Sequence, residues 1–433
     1  MNIIIAGAGQ VGFNLARTLS VGHNVTIIDK NEQALHRIQE SLDIMPFQGD
    51  VENSQTYESF KHLKIDLFIA VTDIDNVNLI ATMIADSVLD IDKTFVRLQK
   101  YFKDVFLIKE KLGVDEIIFP TRIASKSVAS LLAYPRANNI KLFKYTKNKL
   151  ISIRVSKDFQ SRAIISNNFI KVGIERDKDF FIPKEDEVIM PNDLIYFFGL
   201  EENIKEVCME IDDTAASSTQ NCVIYGGGEL GISIAKLLLE TGRNVKVIEK
   251  SLEICETVEK ELEGEATVIN AKYSAHDVFE EENLNNADIF IATTSNDEFN
   301  IIKCLEAKEK GIKKIVAVNN DMEYYNLMHS LGIVVTRGPK ISAYNKIMEE
   351  ISSGGVVIQK NFCGSKAIVL MRKIFKTSKK IKPIKVTNIK IYYIREEALY
   401  PLDEKMLLQE NDIVVAFATT KLMPKMKQWI YEL

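Results

Sequence analysis

No apolar run approaches the roughly 18 residues needed to cross a bilayer as a helix, so no membrane span is expected. The five cysteines, Cys208, Cys222, Cys255, Cys304 and Cys363, form no CxxC pair and have no histidine at ligand spacing. That excludes a disulfide frame or a zinc site and suits reduced thiols in the cytoplasm. Basic residues are not in excess: 55 Lys and Arg against 60 Asp and Glu leave a formal charge of −5. A general nucleic-acid footprint is thereby absent. The first residues lack a basic region and a cleavage site, so they are not read as a signal peptide. Histidines are also scarce. His23, His36, His62, His276 and His329 occupy turns or polar and mixed helical stretches, and each reads as solvated surface.

What is present is a globular composition, 46% hydrophobic and 27% charged, over 433 residues. That is too long for one core, so several compact units are expected. The chain opens "MNIIIAGAGQVGFNLARTL", an apolar strand, a glycine turn and a helix. The loop Gly7-Ala8-Gly9-Gln10-Val11-Gly12 recurs as Gly226-Gly227-Gly228-Glu229-Leu230-Gly231. Val11, Leu15 and Leu19 recur as Leu230, Ile234 and Leu238, the stripe of a helix facing a sheet. Asp29, ending "NVTIID", recurs as Glu249, ending "NVKVIE", and "DLFIAVTDIDNVNLI" returns as "DIFIATTSNDEFNII". The chain is therefore a tandem duplication.

Each copy begins with alternating strands and helices, which predicts a doubly wound parallel sheet of Rossmann type. Each then changes to short alternating strands, predicting a small α+β lobe. In "NFIKVGIERDKDFFIP" a hairpin is expected, turning near Asp177-Lys178-Asp179, and Asn411-Asp412 match Asn192-Asp193. The expected layout is a large lobe over 1–135, a small lobe over 136–211, a second large lobe over 221–352 and a second small lobe over 353–433. The polar stretch Asp212 to Asn221 reads as a linker.

A lone GxGxxG says little, but here its context is complete. Gly7 permits the tight turn, Gly9 admits a pyrophosphate to the backbone, and Gly12 lets helix and strand pack closely. The helix N-terminus then offers free N–H groups to phosphates. Asp29, at the end of the next strand, is placed to accept both ribose hydroxyls and to repel a 2′-phosphate. Thr72 and Asp73 follow a strand at the carboxyl edge of the sheet. Arg97, in "TFVRLQ", reads either as a phosphate ligand or as a solvated strand-end charge. Asp50, after the third strand, reads as an adenine-side residue, a helix N-cap, or both.

The second loop, Gly226, Gly227, Gly228, Glu229, Leu230 and Gly231, with Glu249 beyond it, offers the same geometry with fewer partners. By sequence spacing Gly49-Asp50 fall on Asn270-Ala271, Asp73 on Ser295 and Arg97 on Ala317. Glu229 is an awkward neighbour for phosphate unless it points to solvent. This copy is expected to bind more weakly, to take a ligand with fewer phosphate contacts, or to be empty.

Through "IIIAGAGQVGFNLARTL", "NVTIIDKNE", Gly49-Asp50, "DLFIAVTDIDNVNLIA" with Asn78, the Arg97 strand and "LGVDEIIFP", the sequence resembles the TrkA family. Members are cytosolic nucleotide-binding subunits of Trk-type potassium uptake systems, built from two regulator-of-potassium-conductance (RCK) units. The resemblance covers essentially the whole chain, less closely in its second small lobe. It implies nucleotide binding by Gly7 to Val11, Asp29, Thr72, Asp73 and Arg97, with NAD(H), ATP or ADP as ligand. It further implies a homo-oligomeric ring, four chains giving eight RCK units, docked on an integral membrane potassium channel subunit. The protein would then lie on the inner face of the cell membrane and meet the membrane only through that partner.

The competing reading is an NAD-dependent oxidoreductase. It needs a positioned proton donor or acceptor and a substrate domain. No histidine is repeated between copies and only small β-rich lobes remain for substrate, so a regulator is expected and an enzyme is not. The basic run Lys376 to Lys385 reads as a solvated loop or as a face for lipid or channel loops. The helix Ala124 to Tyr134 serves either core packing or a crossing to a neighbouring lobe.

Overall fold

The computed structural model describes residues 1–433 except 103, 133–136, 167, 212–219, 272–274, 322–323, 354–356, 376–387 and 404–406. The linker expected at Asp212 to Asn221 lies almost wholly outside the described residues, and the basic run Lys376 to Lys385 wholly so.

The first copy alternates strand and helix throughout. Its elements are β1 (Asn2–Ala6), α1 (Gln10–Leu19), β2 (Asn24–Asp29), α2 (Glu32–Gln39), β3 (Met45–Gln48) and α3 (Ser54–Glu58). They continue with β4 (Leu67–Ala70), α4 (Asp75–Val88), β5 (Thr94–Arg97), α5 (Val105–Lys111), β6 (Glu116–Ile118) and α6 (Pro120–Leu132). The six strands form one parallel sheet in the order β3-β2-β1-β4-β5-β6. Ile3, Ile4, Ile5 and Ala6 are buried, the unbroken apolar run required of a central parallel strand covered on both faces. Val11, Gly12, Leu15, Ala16 and Leu19 form the buried stripe of α1. Strand order reverses between β1 and β4, the place where open α/β sheets leave a crevice at their carboxyl edge.

The small lobe that follows comprises β7 (Ala137–Lys141), β8 (Lys149–Arg154), β9 (Arg162–Ala163), β10 (Phe169–Arg176), β11 (Asp179–Phe181), β12 (Val188–Ile189), β13 (Leu194–Gly199) and α7 (Glu201–Ile211). Its antiparallel sheet runs β11-β10-β13-β8-β7, with β9 and β12 as a separate ribbon. The expected hairpin is present: Arg176 pairs with Asp179, and the two turn residues Asp177 and Lys178 both have positive φ. Two such residues make the turn whose twist matches the strands it joins.

The second copy repeats the plan. It runs β14 (Asn221–Tyr225), α8 (Glu229–Leu239), β15 (Asn244–Glu249), α9 (Leu252–Glu261), β16 (Thr267–Asn270) and α10 (Ala275–Glu281). Then come β17 (Ile289–Ala292), α11 (Asp297–Glu309), β18 (Lys314–Asn319), α12 (Tyr325–Ser330), β19 (Val334–Arg337) and α13 (Pro339–Ser353). Its order, β16-β15-β14-β17-β18-β19, is that of the first sheet. The last lobe has β20 (Val357–Phe362), β21 (Ala367–Lys373), β22 (Ile389–Arg395), β23 (Ala398–Pro401), β24 (Ile413–Thr419) and α14 (Met423–Glu432). Its sheet, β20-β21-β24-β22-β23, is the first small sheet read from the opposite edge.

Backbone contacts divide the chain into two compact units. One is Met1–Ser125 with Asn319–Met322 and Arg337–Met348; the other is Lys126–Val318 with Glu323–Thr336 and Glu349–Leu433. In the first unit, Gln10 Nε2 donates to the Asn320 carbonyl at 3.2 Å, and the Thr18 and Tyr344 hydroxyls lie 2.9 Å apart. In the second, the two small sheets share one apolar core that includes Phe143, Tyr196, Phe198, Phe362 and Phe417. No helix among the described residues is long and apolar enough to cross a membrane.

Candidate functional site

Gly7 follows β1 at φ +114°, a conformation L side chains rarely adopt, with the Thr72 backbone against it. Gly12 is fixed by contact. A Cβ there would stand 1.9 Å from the Gly7 carbonyl oxygen, so only glycine lets α1 seat on the turn. At Gly9 a Cβ would meet nothing within 4 Å, which leaves open ground before the first turn of α1.

Asp29 is held in one orientation by two backbone donors. Its Oδ2 accepts from Ala8 N–H at 2.7 Å and its Oδ1 from Asn31 N–H at 2.8 Å. Each oxygen keeps a lone pair for a further donor. The Asp50 turn is set from below: the Tyr57 hydroxyl donates to Val51 O at 2.7 Å and Thr56 Oγ1 to Asp50 O at 2.7 Å. Burial, with the Asp50 charge adding to it, raises the Tyr57 pKa, so the hydroxyl stays a donor. Asp50 is not the N-cap of α3, a place taken by Asn53; its Oδ1 accepts from Glu52 N–H instead.

The opposite wall hangs on Asn78, which is fully buried. Its Oδ1 accepts from Thr72 N–H at 2.8 Å and from Thr72 Oγ1 at 2.6 Å, and its Nδ2 donates to Thr72 O and Arg97 O, both at 2.9 Å. The Thr72-Asp73 loop is thus fixed to the ends of two strands.

These walls enclose a cavity of about 200 Å³. Of the expected residues it is lined by Gly7, Asp29, Asp50, Thr72 and Asp73. Ala8, Gly9, Gln10, Val11 and Gly12 form the turn beside it but do not line it. Arg97 does not line it either. It is 5% exposed, its Nη1 bonds Asp73 Oδ1 at 3.0 Å, and its Nε is buried without a partner. Neither sequence reading of Arg97 anticipated this pairing: the side chain is buried and braces Asp73. Lys30, Glu52, Ile74 and Val77 also line the cavity and went unnoticed in the sequence. Val77 was findable, since it stands one place before Asn78, a residue within a repeated motif.

The second copy keeps the frame. Gly226 has φ +110°, and a Cβ on Gly231 would stand 2.0 Å from Gly226 O. Glu249 Oε2 accepts from Gly227 N–H at 2.7 Å, and its Oε1 from Lys250 and Ser251 N–H. Gly228 begins α8 as its N-cap, followed by Glu229, which is exposed, and by the buried Leu230. Sheet register corrects two of the sequence matches. Ala70 pairs with Val96 and Ala292 with Ala317, so Arg97 corresponds to Val318, not Ala317. Asn300 confirms this by donating to Val318 O as Asn78 does to Arg97 O. Likewise Asp29 pairs with Gln48 and Glu249 with Asn270, so Gly49 corresponds to Ala271. Sequence spacing slipped by one because the loops before these strands differ in length.

The side chains of His276 and His329 lie outside the described residues. His36 and His62 are exposed, and His36 lies 3.5 Å from Glu40. His23 departs from the expectation of a solvated side chain: it is half-buried, with Nδ1 enclosed and unbonded. The described residues contain no group of His, Cys, Asp or Glu able to hold a metal ion.

With this geometry established, the chain can be set against known proteins. The TrkA-N domain matches it twice, over residues 3–120 and 222–337. A Trk system potassium uptake protein TrkA homolog of Archaeoglobus fulgidus is 30% identical over 80% of both chains. TrkA homolog 1 of Methanosarcina mazei is 27% identical over 96% of this chain and 97% of its own. Among solved structures, the GsuK RCK domain superposes with a TM-score of 0.62 at 14% identity, covering 100% of this chain and 95% of that one. The GsuK channel bound to NAD gives 0.63 at 14%, covering 100% and 79%. Those two likenesses show the fold, tandem RCK units. Matched in both halves by the domain and along most of its length by these relatives, the chain belongs to the TrkA family.

Proposed function

We propose that this protein is the nucleotide-binding regulatory subunit of a Trk-type potassium uptake system and that it is not an enzyme. The observation that carries the reading is the first crevice. It is a cavity at the switch point of a parallel sheet, walled by a clamped carboxylate and a glycine turn, in a chain of TrkA family membership.

The residues present fit a nucleotide with an ADP moiety, as in NAD(H), ATP or ADP. Asp29 would accept the ribose hydroxyls, and Val77 and Ile74 would give the base an apolar wall. The N–H groups at the start of α1, beside open space at Gly9, would take the phosphates. Asp50, Glu52 and Asp73 add negative charge to the lining, which disfavours a 2′-phosphate. Lys30 is the one basic side chain among the described lining residues and no histidine is among them, which supports a binding role over hydride transfer. The nucleotide supplies no chemistry here; it supplies binding energy that differs between two shapes of the protein.

The functional units are residues 1–135, 136–211, 221–352 and 353–433. Four chains form a ring of eight RCK units on the cytoplasmic face of the membrane, docked on the channel subunit. A ring is needed on energetic grounds. Driving a gate from mostly closed to mostly open takes about 5.5 kcal/mol of differential binding. One allosteric site supplies roughly 1–3 kcal/mol, so several coupled sites must act together.

The test is a binding titration of the purified protein with NAD⁺, NADH, ATP and ADP, repeated with Asp29→Ala. Binding that falls at least tenfold in the variant supports the reading. Absence of binding by all four ligands, or turnover of hydride with any small substrate, overturns it.

A further inference from the structure

The two glycine turns make closely similar contacts, yet the side chains that face the crevices beside them differ. Val77 precedes Asn78 in the first copy, and Phe299 precedes Asn300 in the second, the two asparagines making equivalent bonds to Thr72 and Thr294. Lys30 and Lys250 likewise follow the paired carboxylates Asp29 and Glu249. In the first copy, Lys30 and Val77 both line the open cavity. In the second, the same two positions touch: the Lys250 ammonium lies 4.1 Å from the centroid of the Phe299 ring.

From this we propose that Phe299, clamped under Lys250, closes the second crevice, so that each chain takes one nucleotide, bound in the first copy. The proposal rests on the nucleotide reading above and assigns its stoichiometry to one side chain.

The ring is held from a second side as well. Lys303 Nζ lies 5.3 Å from the Phe299 centroid and 5.6 Å from that of Tyr225, and the two rings are 5.6 Å apart. Lys303 is itself fixed by Glu306 at 2.7 Å. Cations over ring faces are attracted by the ring quadrupole, more strongly where water is excluded, and Lys303 is buried. The first copy has nothing comparable. Ala6, Val77 and Ala81 occupy the places of Tyr225, Phe299 and Lys303, so three small side chains are exchanged for three large ones. Ala271 replaces Gly49 on the remaining wall. A base entering the second crevice would have to displace Phe299 from both lysines. Glu249 and the glycine turn persist because they hold the sheet and α8 together, whether or not a ligand is present.

The experiment measures stoichiometry by calorimetry on the full chain with ADP and, separately, NAD⁺. Wild type is expected to bind one equivalent and Phe299→Val to bind two. Val77→Phe places the aromatic in the first crevice and is expected to weaken binding at least tenfold. Circular dichroism checks that each variant is folded, and Val77→Phe tests the idea even if Phe299→Val is unstable. Two equivalents in wild type, one in folded Phe299→Val, or wild-type affinity in Val77→Phe overturns the assignment while leaving the nucleotide reading intact. No binding by wild type overturns both.

Discussion

Asn78 grips Thr72 through three hydrogen bonds, two accepted by its side-chain oxygen and one donated to the Thr72 carbonyl. A fourth bond ties the same amide to Arg97 O. The clasp recurs in the second copy, where Asn300 binds Thr294 and Val318 in the same way. A fully buried amide that satisfies four groups of two adjoining segments is a structural device. In the first copy it also fixes the wall of the open crevice.

Replacing Asn78 by leucine keeps the branching of the side chain but strands the three backbone groups and the Thr72 hydroxyl that it satisfies. Each buried group left unsatisfied costs about 1–3 kcal/mol, so a loss of at least about 2 kcal/mol is expected. Asn300→Leu should cost a similar amount. Only Asn78→Leu should also weaken nucleotide binding, because only its loop lines the open cavity. Urea denaturation followed by titration separates the two effects, and equal binding losses in both variants would refute the distinction.

Gly9 and Gly12 belong to one motif but should respond oppositely to alanine. At Gly12 the added methyl would lie 1.9 Å from a backbone oxygen that cannot yield without shifting the turn, so Gly12→Ala should fail to fold or melt many degrees lower. At Gly9 the methyl meets open space. Gly9→Ala should therefore keep its stability to within about 0.5 kcal/mol, the usual range for unobstructed surface positions. It should nonetheless bind nucleotide at least tenfold more weakly, since the methyl stands where phosphate must approach. Thermal melts and titrations of both variants decide the matter.

Why the first crevice was largely legible in the sequence follows from the kind of residue that builds it. Gly7, Gly12 and Asp29 are dictated by backbone geometry close in sequence, and local spacing reveals such needs. Arg97 was misjudged because its partner, Asp73, lies on another strand end, and spacing does not show where a long side chain turns. The matches of Gly49 and Arg97 slipped by one for a related reason: strands are aligned by their ladders, and loop lengths between copies are free. Phe299 carries no signal in the sequence. Its role depends on Lys250 and Lys303, which approach it only in three dimensions. The small lobes were legible as hairpins from alternation, but their common apolar core was not, since alternation does not say which sheet covers which.

The buried aspartates of the small lobes set up a third prediction. Arg176 grips Asp193 through Nε at 2.9 Å and Nη2 at 2.8 Å, and Asp193 also accepts from Met190 N–H. Arg395 repeats the grip on Asp412. The arginine sits at the end of its hairpin strand in each lobe, so the pair pins strand to turn. Hydrogen bonds to charged groups contribute about 1.5–3 kcal/mol, and both arginines are partly solvated, which lowers the figure. Asp193→Ala and Asp412→Ala should each lose about 2 kcal/mol in urea denaturation without altering nucleotide affinity. A loss below 0.5 kcal/mol in either would show the grip to be incidental.

Lys390 should make stability rise with pH on the alkaline side. Its Nζ donates to Lys171 O, and the Lys171 ammonium, bonded to Glu187 O, lies close by. Burial first, and the Lys171 charge second, push the Lys390 pKa down to about 8, with Glu185 opposing. Lys171 is lowered too, by its own burial, against the pull of Glu187, Asp186 and Glu185. Below pH 8 the folded and unfolded chains both hold the Lys390 proton and the burial penalty is fully felt. Between about pH 8 and the ordinary lysine value near 10.5, the unfolded chain binds more protons, so folding becomes more favourable as pH rises. Lys390→Met removes that titration. The stability of wild type relative to Lys390→Met should therefore improve across this window, by on the order of 1 kcal/mol once solvent screening of the partly exposed amine is allowed for. Denaturation of both proteins at pH 7.5 and pH 10 reads the difference directly. A wild-type stability that stays constant or falls relative to Lys390→Met over this window would mean that Lys390 keeps an ordinary pKa in the folded protein.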